Sequence, residues 1–168
     1  MDYSALIRDV PDFPKPGIVF KDITPLLADP DALRASIADL GNGFEGIDKV
    51  AGIEARGFIF GAAVAAELGV GFVPIRKAGK LPWETHSVAY TLEYAEQEVE
   101  LHTDAVDAGE RILIVDDLLA TGGTAEATAS LIDKLGGEIA GYSFVVELTF
   151  LSGRARLGSD RVHSLVQY

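Results

Sequence analysis

Residues 112–124, ILIVDDLLATGGT, bring together the side chains of this chain best suited to chemistry. A continuous apolar run, read as a buried parallel strand, ends in two adjacent carboxylates, Asp116 and Asp117. Leu118, Leu119 and Ala120 lead into Thr121–Gly122–Gly123–Thr124, and a helix is predicted from there. The glycines let the backbone bend tightly, so that successive N–H groups converge on one point. Two threonine hydroxyls and the positive end of a helix dipole complete a cradle for one phosphate dianion. The loop lacks the lysine of GxxxxGK[ST], which separates it from the nucleoside-triphosphate P-loop. Carboxylates repel phosphate, so Asp116 and Asp117 must face another part of the same ligand. Ribose hydroxyls suit them, because an ionised carboxylate only accepts hydrogen bonds. The pairing points to a 5-phosphorylated ribose. The plainer alternative is a sheet-edge turn whose aspartates cap the helix.

Two further segments carry charge at useful places. Glu54–Ala55–Arg56–Gly57 follows a predicted strand at 49–53 and opens a helix, a second terminus suited to an anion. Taken alone, Glu54 and Arg56 could equally be a surface ion pair. Arg76, Lys77 and Lys80 fall within five positions, in RKAGK. On a chain with 26 acidic and 14 basic residues and a formal net charge of -12, such a cluster suits a small anion better than a polynucleotide. A solvated loop is the ordinary alternative. His86, His102 and His163 have no metal-ligand spacing, and there is no cysteine, which excludes disulfides, thiolate metal sites and a cysteine nucleophile.

These segments need elements to hold them. The chain has 168 residues, 48% hydrophobic and 24% charged, which fits one globular domain spanning 1–168. No internal repeat or linker-like stretch divides it. Short strand-like runs alternate with helix-like segments, the pattern of an α/β fold with a parallel sheet. A helix is expected across 29–44, with Asp29 or Asp31 as N-cap, then a strand at 49–53, a helix at 58–69 and a strand at 71–75. Residues 88–94 and 98–102 alternate apolar and polar, which predicts a hairpin turning at Ala95–Gln97. A strand at 111–117, a helix at 124–137 stopped by Gly136–Gly137, a strand at 139–148, a helical turn near 152–157 and a strand at 161–166 follow. The N-terminus lacks a secretory signal pattern and no apolar run reaches membrane-spanning length, so a cytoplasmic protein is expected.

The sequence DDLLATGGT after an apolar strand resembles the phosphoribosyl-pyrophosphate motif of type I phosphoribosyltransferases. Longer segments, from about Phe13 to Tyr168, resemble the adenine phosphoribosyltransferase family. FPKPGIVFKDITPLL (13–27) is similar to its N-terminal hood and AGIEARGFIFG (51–61) to its pyrophosphate loop. RKAGKLP (76–82) and YTLEYA (90–95) are similar to the edges of its flexible loop, and FVVELTFLSGRARL (144–157) to its C-terminal segment. The resemblance implies a mostly parallel sheet flanked by helices, a small N-terminal hood at about 1–27 and a flexible β-hairpin loop at about 77–100.

It also implies roles. Phe20 would pack on adenine, with the backbone around Val19 and Lys21 reading the edge of the base and Leu118 beside it. Ribose and 5-phosphate would fall to Asp116, Asp117 and the residues Ala120 to Thr124. Pyrophosphate would fall to Glu54, Ala55 and Arg56, a loop that carries a non-proline cis peptide in the family, together with Arg76, Lys77 and Lys80, some of them acting across a dimer interface. Glu93 matches a glutamate proposed to assist proton transfer at the purine imidazole, and Tyr94 would help close the site. The implied reaction joins adenine to phosphoribosyl pyrophosphate, giving AMP and pyrophosphate, with Mg²⁺ bound mainly through the substrate and a homodimer as the assembly. Lys21 stands where many relatives have arginine, Ala95 where a glycine is common, and Trp83–Glu84 carry no assigned role. Two rivals remain: transfer to another purine, which the match at 13–27 disfavours, and a non-catalytic regulator on DNA, which lacks both a DNA-reading module and the charge for it.

Overall fold

In a computed structural model of the chain, residues 1–92, 95–158 and 161–168 are described. Strands β1 (Arg8–Pro11) and β2 (Val19–Asp22) come first, then helices α1 (Thr24–Ala28) and α2 (Pro30–Gly41). β3 (Lys49–Ile53), α3 (Gly57–Leu68) and β4 (Gly71–Lys77) lead to the hairpin β5 (Thr85–Leu92) and β6 (Ala95–His102). β7 (Arg111–Leu119), α4 (Gly123–Lys134), β8 (Glu138–Glu147), α5 (Gly153–Arg156) and β9 (Val162–Gln167) complete the order. A seven-stranded sheet runs β5-β6-β4-β3-β7-β8-β9, and β1 and β2 form a separate antiparallel pair, the hood. The five strands from β4 to β9 are mutually parallel, and β6 turns antiparallel against β4.

Both faces of the parallel strands are covered, which is why they read as unbroken apolar runs. Ile112, Leu113, Ile114 and Val115 are all fully buried. Because successive side chains point to opposite faces, Ile112 and Ile114 pack with Leu131 and Ile132 of α4. Leu113 and Val115 pack with Leu40 of α2 and with Phe60 and Val64 of α3. Asp29 caps α2, its Oδ1 accepting from the N–H groups of Asp31 (3.0 Å) and Ala32 (2.9 Å).

Three expected boundaries move. β7 does not stop at the acid pair but continues to Leu119, because β8 goes on pairing with it as far as Glu147. β4 takes in Arg76 and Lys77, which pair with Glu100 and Val99 of β6 rather than lying in a loop. The hairpin pairs Leu92 with Ala95 and Tyr90 with Gln97, so Ala95–Gln97 belong to β6 and not to the turn. By composition Ala95, Glu96 and Gln97 look like turn residues, and that similarity moved the predicted turn. The short helix α1, with Pro25 in its first turn, has no periodic stretch to announce it.

Candidate active site

The carboxyl edge of the sheet is stepped. β3 pairs with β7 only as far as Gly52 opposite Val115. From Asp116 onward β7 therefore has no β3 neighbour, while β8 still supports it on the other side. The step explains how two carboxylates inside a strand still face the crevice where open α/β sheets bind ligands.

A cavity of about 380 Å³ lies at this step, lined by Glu54, Ala55, Arg56, Lys77, Asp116 and Asp117 among others. Leu118, Ala120 and Thr124 also line it, as do Tyr90 and Gln97 of the hairpin. A smaller one of about 90 Å³ adjoins it and is formed by Asp116 and the run Leu118 to Ala125, closed by Phe144. Thr121, Gly122, Gly123 and Thr124 are thus gathered around one small space.

Two helices begin at this edge, α3 after Arg56 and α4 after Gly122, and neither has a side-chain cap. The first N–H groups of a helix have no partner within it. At α3 the Phe58 and Ile59 N–H groups already donate to the Ala55 and Arg56 carbonyls (3.3 and 3.1 Å), but both helix starts still present a positive dipole end to a ligand. Gly122 has φ +81°, a conformation that glycine adopts without the penalty of a Cβ. At the other loop the Glu54–Ala55 peptide is cis.

The charges between these ends are arranged in pairs. Arg56 Nε donates to Asp117 Oδ2 at 2.5 Å, and its guanidinium lies 5.4 Å from the centre of the Phe20 ring. Phe20 also meets Phe13 edge-on, with ring centres 5.2 Å apart. One arginine therefore reaches Asp117 and Phe20 together. Asp117 is 6% exposed, and its N–H donates to Asp116 Oδ1 at 2.8 Å. Burial first, then the neighbouring Asp117 charge, holds the Asp116 carboxyl well above the usual carboxylate range.

Glu54 lines the cavity, and its carboxylate is hydrogen-bonded to β4. It accepts from Arg76 Nε (3.1 Å) and from the Lys77 N–H (3.1 Å), and the Arg76 guanidinium holds it below the usual range despite partial burial. Glu54 and Arg56 do not pair with each other; each has a partner from another strand. Arg76 also donates to the Lys80 carbonyl at 2.9 Å. In the hood, Val19 is half exposed, while Lys21 pairs with Asp9 (2.6 Å) and lies 3.6 Å from the centre of the Tyr168 ring. Glu93 and Tyr94 lie outside the described residues.

Several residues at the site carry no announcing motif. Tyr90 hydroxyl donates to Gln97 Oε1 at 2.9 Å inside the cavity wall. Glu100, 5% exposed, accepts from the N–H groups of Lys80 and Leu81 at 2.9 Å each and so fixes the start of the hairpin loop. Strand alternation marks Val99 and Leu101 as core but gives no hint that residues 80–85 fold over Glu100. A lone carboxylate in the apolar run FVVEL does signal a buried partner for Glu147, and Arg154 is that partner.

The chain matches the phosphoribosyl transferase domain model over residues 22–156. An adenine phosphoribosyltransferase of Methylococcus capsulatus is 60% identical over 98% of this chain and 97% of its own length. The crystal structure of adenine phosphoribosyltransferase from Rhodothermus marinus superposes with a TM-score of 0.94 at 51% identity, covering 99% of this chain and 96% of that one. That of Saccharomyces cerevisiae, complexed with an imino-altritol bisphosphate and adenine, reaches 0.92 at 40% identity over 98% and 96%. A likeness of this extent places the chain in the adenine phosphoribosyltransferase family.

Proposed function

We propose that this enzyme transfers the phosphoribosyl group of phosphoribosyl pyrophosphate to adenine, a purine-salvage reaction, through the step in the sheet between α3 and α4. The observation that carries the reading is the pair of uncapped helix N-termini on either side of Asp116 and Asp117. A ligand with a phosphate at one end, a diol in the middle and a pyrophosphate at the other meets donors, acceptors and donors in that order. The 5-phosphate is assigned to Ala120–Thr124, the ribose hydroxyls to Asp116 and Asp117, and the pyrophosphate to the 54–57 backbone with Arg56, Lys77 and Lys80. Glu54 accepts from Arg76 Nε and from the Lys77 N–H, which supports a share for it in holding Arg76 and Lys77 at the pyrophosphate end.

The reaction is a displacement at the anomeric carbon: the base nitrogen forms the new C–N bond as the C–O bond to pyrophosphate breaks. The transition state resembles an oxocarbenium ion, so neutralising the departing pyrophosphate is the main task. Arg56 begins on Asp117. Ribose hydroxyls arriving at Asp117 take over its acceptor and release the guanidinium toward the leaving group, which also uncovers the Phe20 face for the base. Backbone N–H and C=O groups at Val19 and Lys21 suit the donor–acceptor edge of adenine, with Leu118 below it. Glu93 is assigned the purine proton and Tyr94 a share in closing the site against water.

Oxygen donors at Asp116 and Asp117 suit Mg²⁺, but no group of three or more candidate ligands occurs among the described residues. We assign a magnesium ion here chiefly to substrate oxygens, because Mg²⁺ commonly binds through one or two carboxylates plus phosphates. It would supply charge neutralisation of the pyrophosphate. A homodimer is the assigned assembly. α3 supports it, being apolar nearly all round, with Ile59 44% exposed and Ala62 and Ala66 beside it on the surface. Among the described residues no helix is long and apolar enough to cross a membrane. Absence of cysteine suits a reducing cytoplasm.

The test is a competition. The protein is given phosphoribosyl pyrophosphate, Mg²⁺ and equal amounts of adenine, hypoxanthine and guanine, and the nucleotides are separated. AMP dominates if the assignment is right, and an Asp116→Asn/Asp117→Asn variant makes none. IMP or GMP in excess contradicts the hood assignment while sparing the phosphate loop.

A further inference from the structure

The short segment around α5 meets the phosphate loop from behind. A Cβ added to Gly153 would lie 2.2 Å from the Ala120 carbonyl oxygen and 3.0 Å from Leu119 Cδ1. One added to Gly122 would lie 2.8 Å from the Gly153 carbonyl oxygen. Two backbones therefore touch with no side chain between them. Further along, the Arg156 guanidinium reaches the flank of Gly123, and its Nε donates to Glu126 Oε2 at 2.6 Å. Gly153 and Arg156 thus flank three successive parts of the loop, at Ala120, Gly122 and Gly123.

What holds that segment in place is the residue after Gly153. Arg154 grips the Glu147 carboxylate with two prongs, Nε to Oε1 at 3.0 Å and Nη2 to Oε2 at 2.6 Å. Its third nitrogen, Nη1, donates to the Val162 carbonyl of β9. Glu147 is 3% exposed and also accepts from Ser164 Oγ (2.6 Å) and Gln167 Nε2 (3.3 Å). It ends β8 opposite Leu119, the last residue of β7 before the loop, and the Leu148 N–H donates to the Leu119 carbonyl at 2.9 Å. The ion pair therefore joins the end of the sheet, the α5 segment and β9 at the root of the loop.

We propose that Arg154 is a positioning residue for 5-phosphate binding: clamped on Glu147, it presses Gly153 against Ala120 and Gly122 and keeps the loop N–H groups aimed at the phosphate. The proposal rests on the assignment of Ala120–Thr124 to that phosphate. A two-pronged guanidinium sets direction as well as distance, whereas a lysine ammonium is a point charge. Lysine at 154 restores charge but only part of the aim.

The experiment titrates ribose 5-phosphate and adenine separately into the full-length wild type, Arg154→Gln, Arg154→Lys and Gly153→Ala, with a Thr121→Val/Thr124→Val variant alongside and melting curves for each. The expected result is about tenfold weaker ribose 5-phosphate binding in Arg154→Gln, with partial recovery in Arg154→Lys and adenine affinity within about twofold of wild type. KM for phosphoribosyl pyrophosphate rises in parallel. Gly153→Ala gives the same selective loss by a direct clash with Ala120, and carries the test if Arg154→Gln fails to fold. Unchanged ribose 5-phosphate binding in Arg154→Gln, or equal weakening of both ligands with a collapsed melting point in both Arg154→Gln and Gly153→Ala, overturns the proposal. If the double threonine variant binds ribose 5-phosphate normally, the phosphate assignment itself fails. If it loses binding while Arg154→Gln and Gly153→Ala keep it, only the positioning role fails.

Discussion

At Asp116 the fold works against itself. Burial, then the charge of Asp117, raises its carboxyl, so the folded protein holds a proton there more tightly than the unfolded chain does. Such a group favours folding below its unfolded value, near 3.8, and that contribution is lost as pH rises through the folded value. At neutral pH an ionised Asp116 is a cost, one that the proposed ribose contact would account for. Asp116→Asn is expected to melt about 2–5 °C higher than wild type at pH 7.5, by calorimetry, while kcat/KM falls roughly a hundredfold. A lower melting point in that variant would mean that the carboxylate is a net stabiliser. Arg56 makes a different prediction, because a lysine cannot reproduce its planar fork. Arg56→Lys is expected to raise KM for phosphoribosyl pyrophosphate about tenfold or more in steady-state assays. Of these two residues, sequence marks Asp116 more clearly. Both acids, both glycines and both threonines fall within nine consecutive positions, 116–124, whereas Arg56 and Asp117 are 61 residues apart and nothing local joins them.

α3 and α4 were legible as elements because each follows a buried strand and has a long apolar or periodic run. That a helix would open at EARG and after TGGT was legible too, whereas the lack of a side-chain cap at either start appears only in the structure. The hairpin was less so. Its pairing depends on cross-strand partners that no short window contains, so the turn was expected two or three residues too late. Glu100 belongs to the same category, a carboxylate whose partners arrive only when residues 80–85 fold over it. Glu100→Gln keeps the shape but removes the charge from two backbone hydrogen bonds, each worth about 1.5–3 kcal/mol with a charged acceptor. Faster amide exchange at residues 78–85 is expected, with KM for phosphoribosyl pyrophosphate up about three- to tenfold. Unchanged exchange there would deny Glu100 its anchoring role. For α3, Ile59→Lys places a charge on the exposed apolar face and is expected to yield monomers in sedimentation experiments, against the dimer proposed for the wild type.

Acid should loosen the whole molecule in a defined order. Glu54 is held low chiefly by Arg76, Glu110 by Lys49 and Glu147 by Arg154. Carboxylates depressed in the folded state add stability above their unfolded value, near 4.5, and lose it as pH falls through the folded values. Urea midpoints should therefore fall steeply below about pH 4.5, a loss that protonation of Asp116 offsets only in part. Arg154→Gln should flatten part of that fall, because Glu147 then lacks the partner that lowers it. The parallel core and its two buried faces were open to reading from apolar runs alone. Closure of the C-terminal segment onto the phosphate loop was not, since it depends on a backbone contact between Gly122 and Gly153. In the proposed function one crevice holds two separate anion sites, one on each uncapped helix, with the acid pair between them. The most direct test titrates ribose 5-phosphate and pyrophosphate separately into wild type, Arg56→Gln and Thr121→Val/Thr124→Val. Arg56→Gln should weaken pyrophosphate about tenfold and leave ribose 5-phosphate nearly unchanged, and the threonine variant should do the reverse. If both variants weaken both ligands equally, the crevice is a single anion site and the account is wrong.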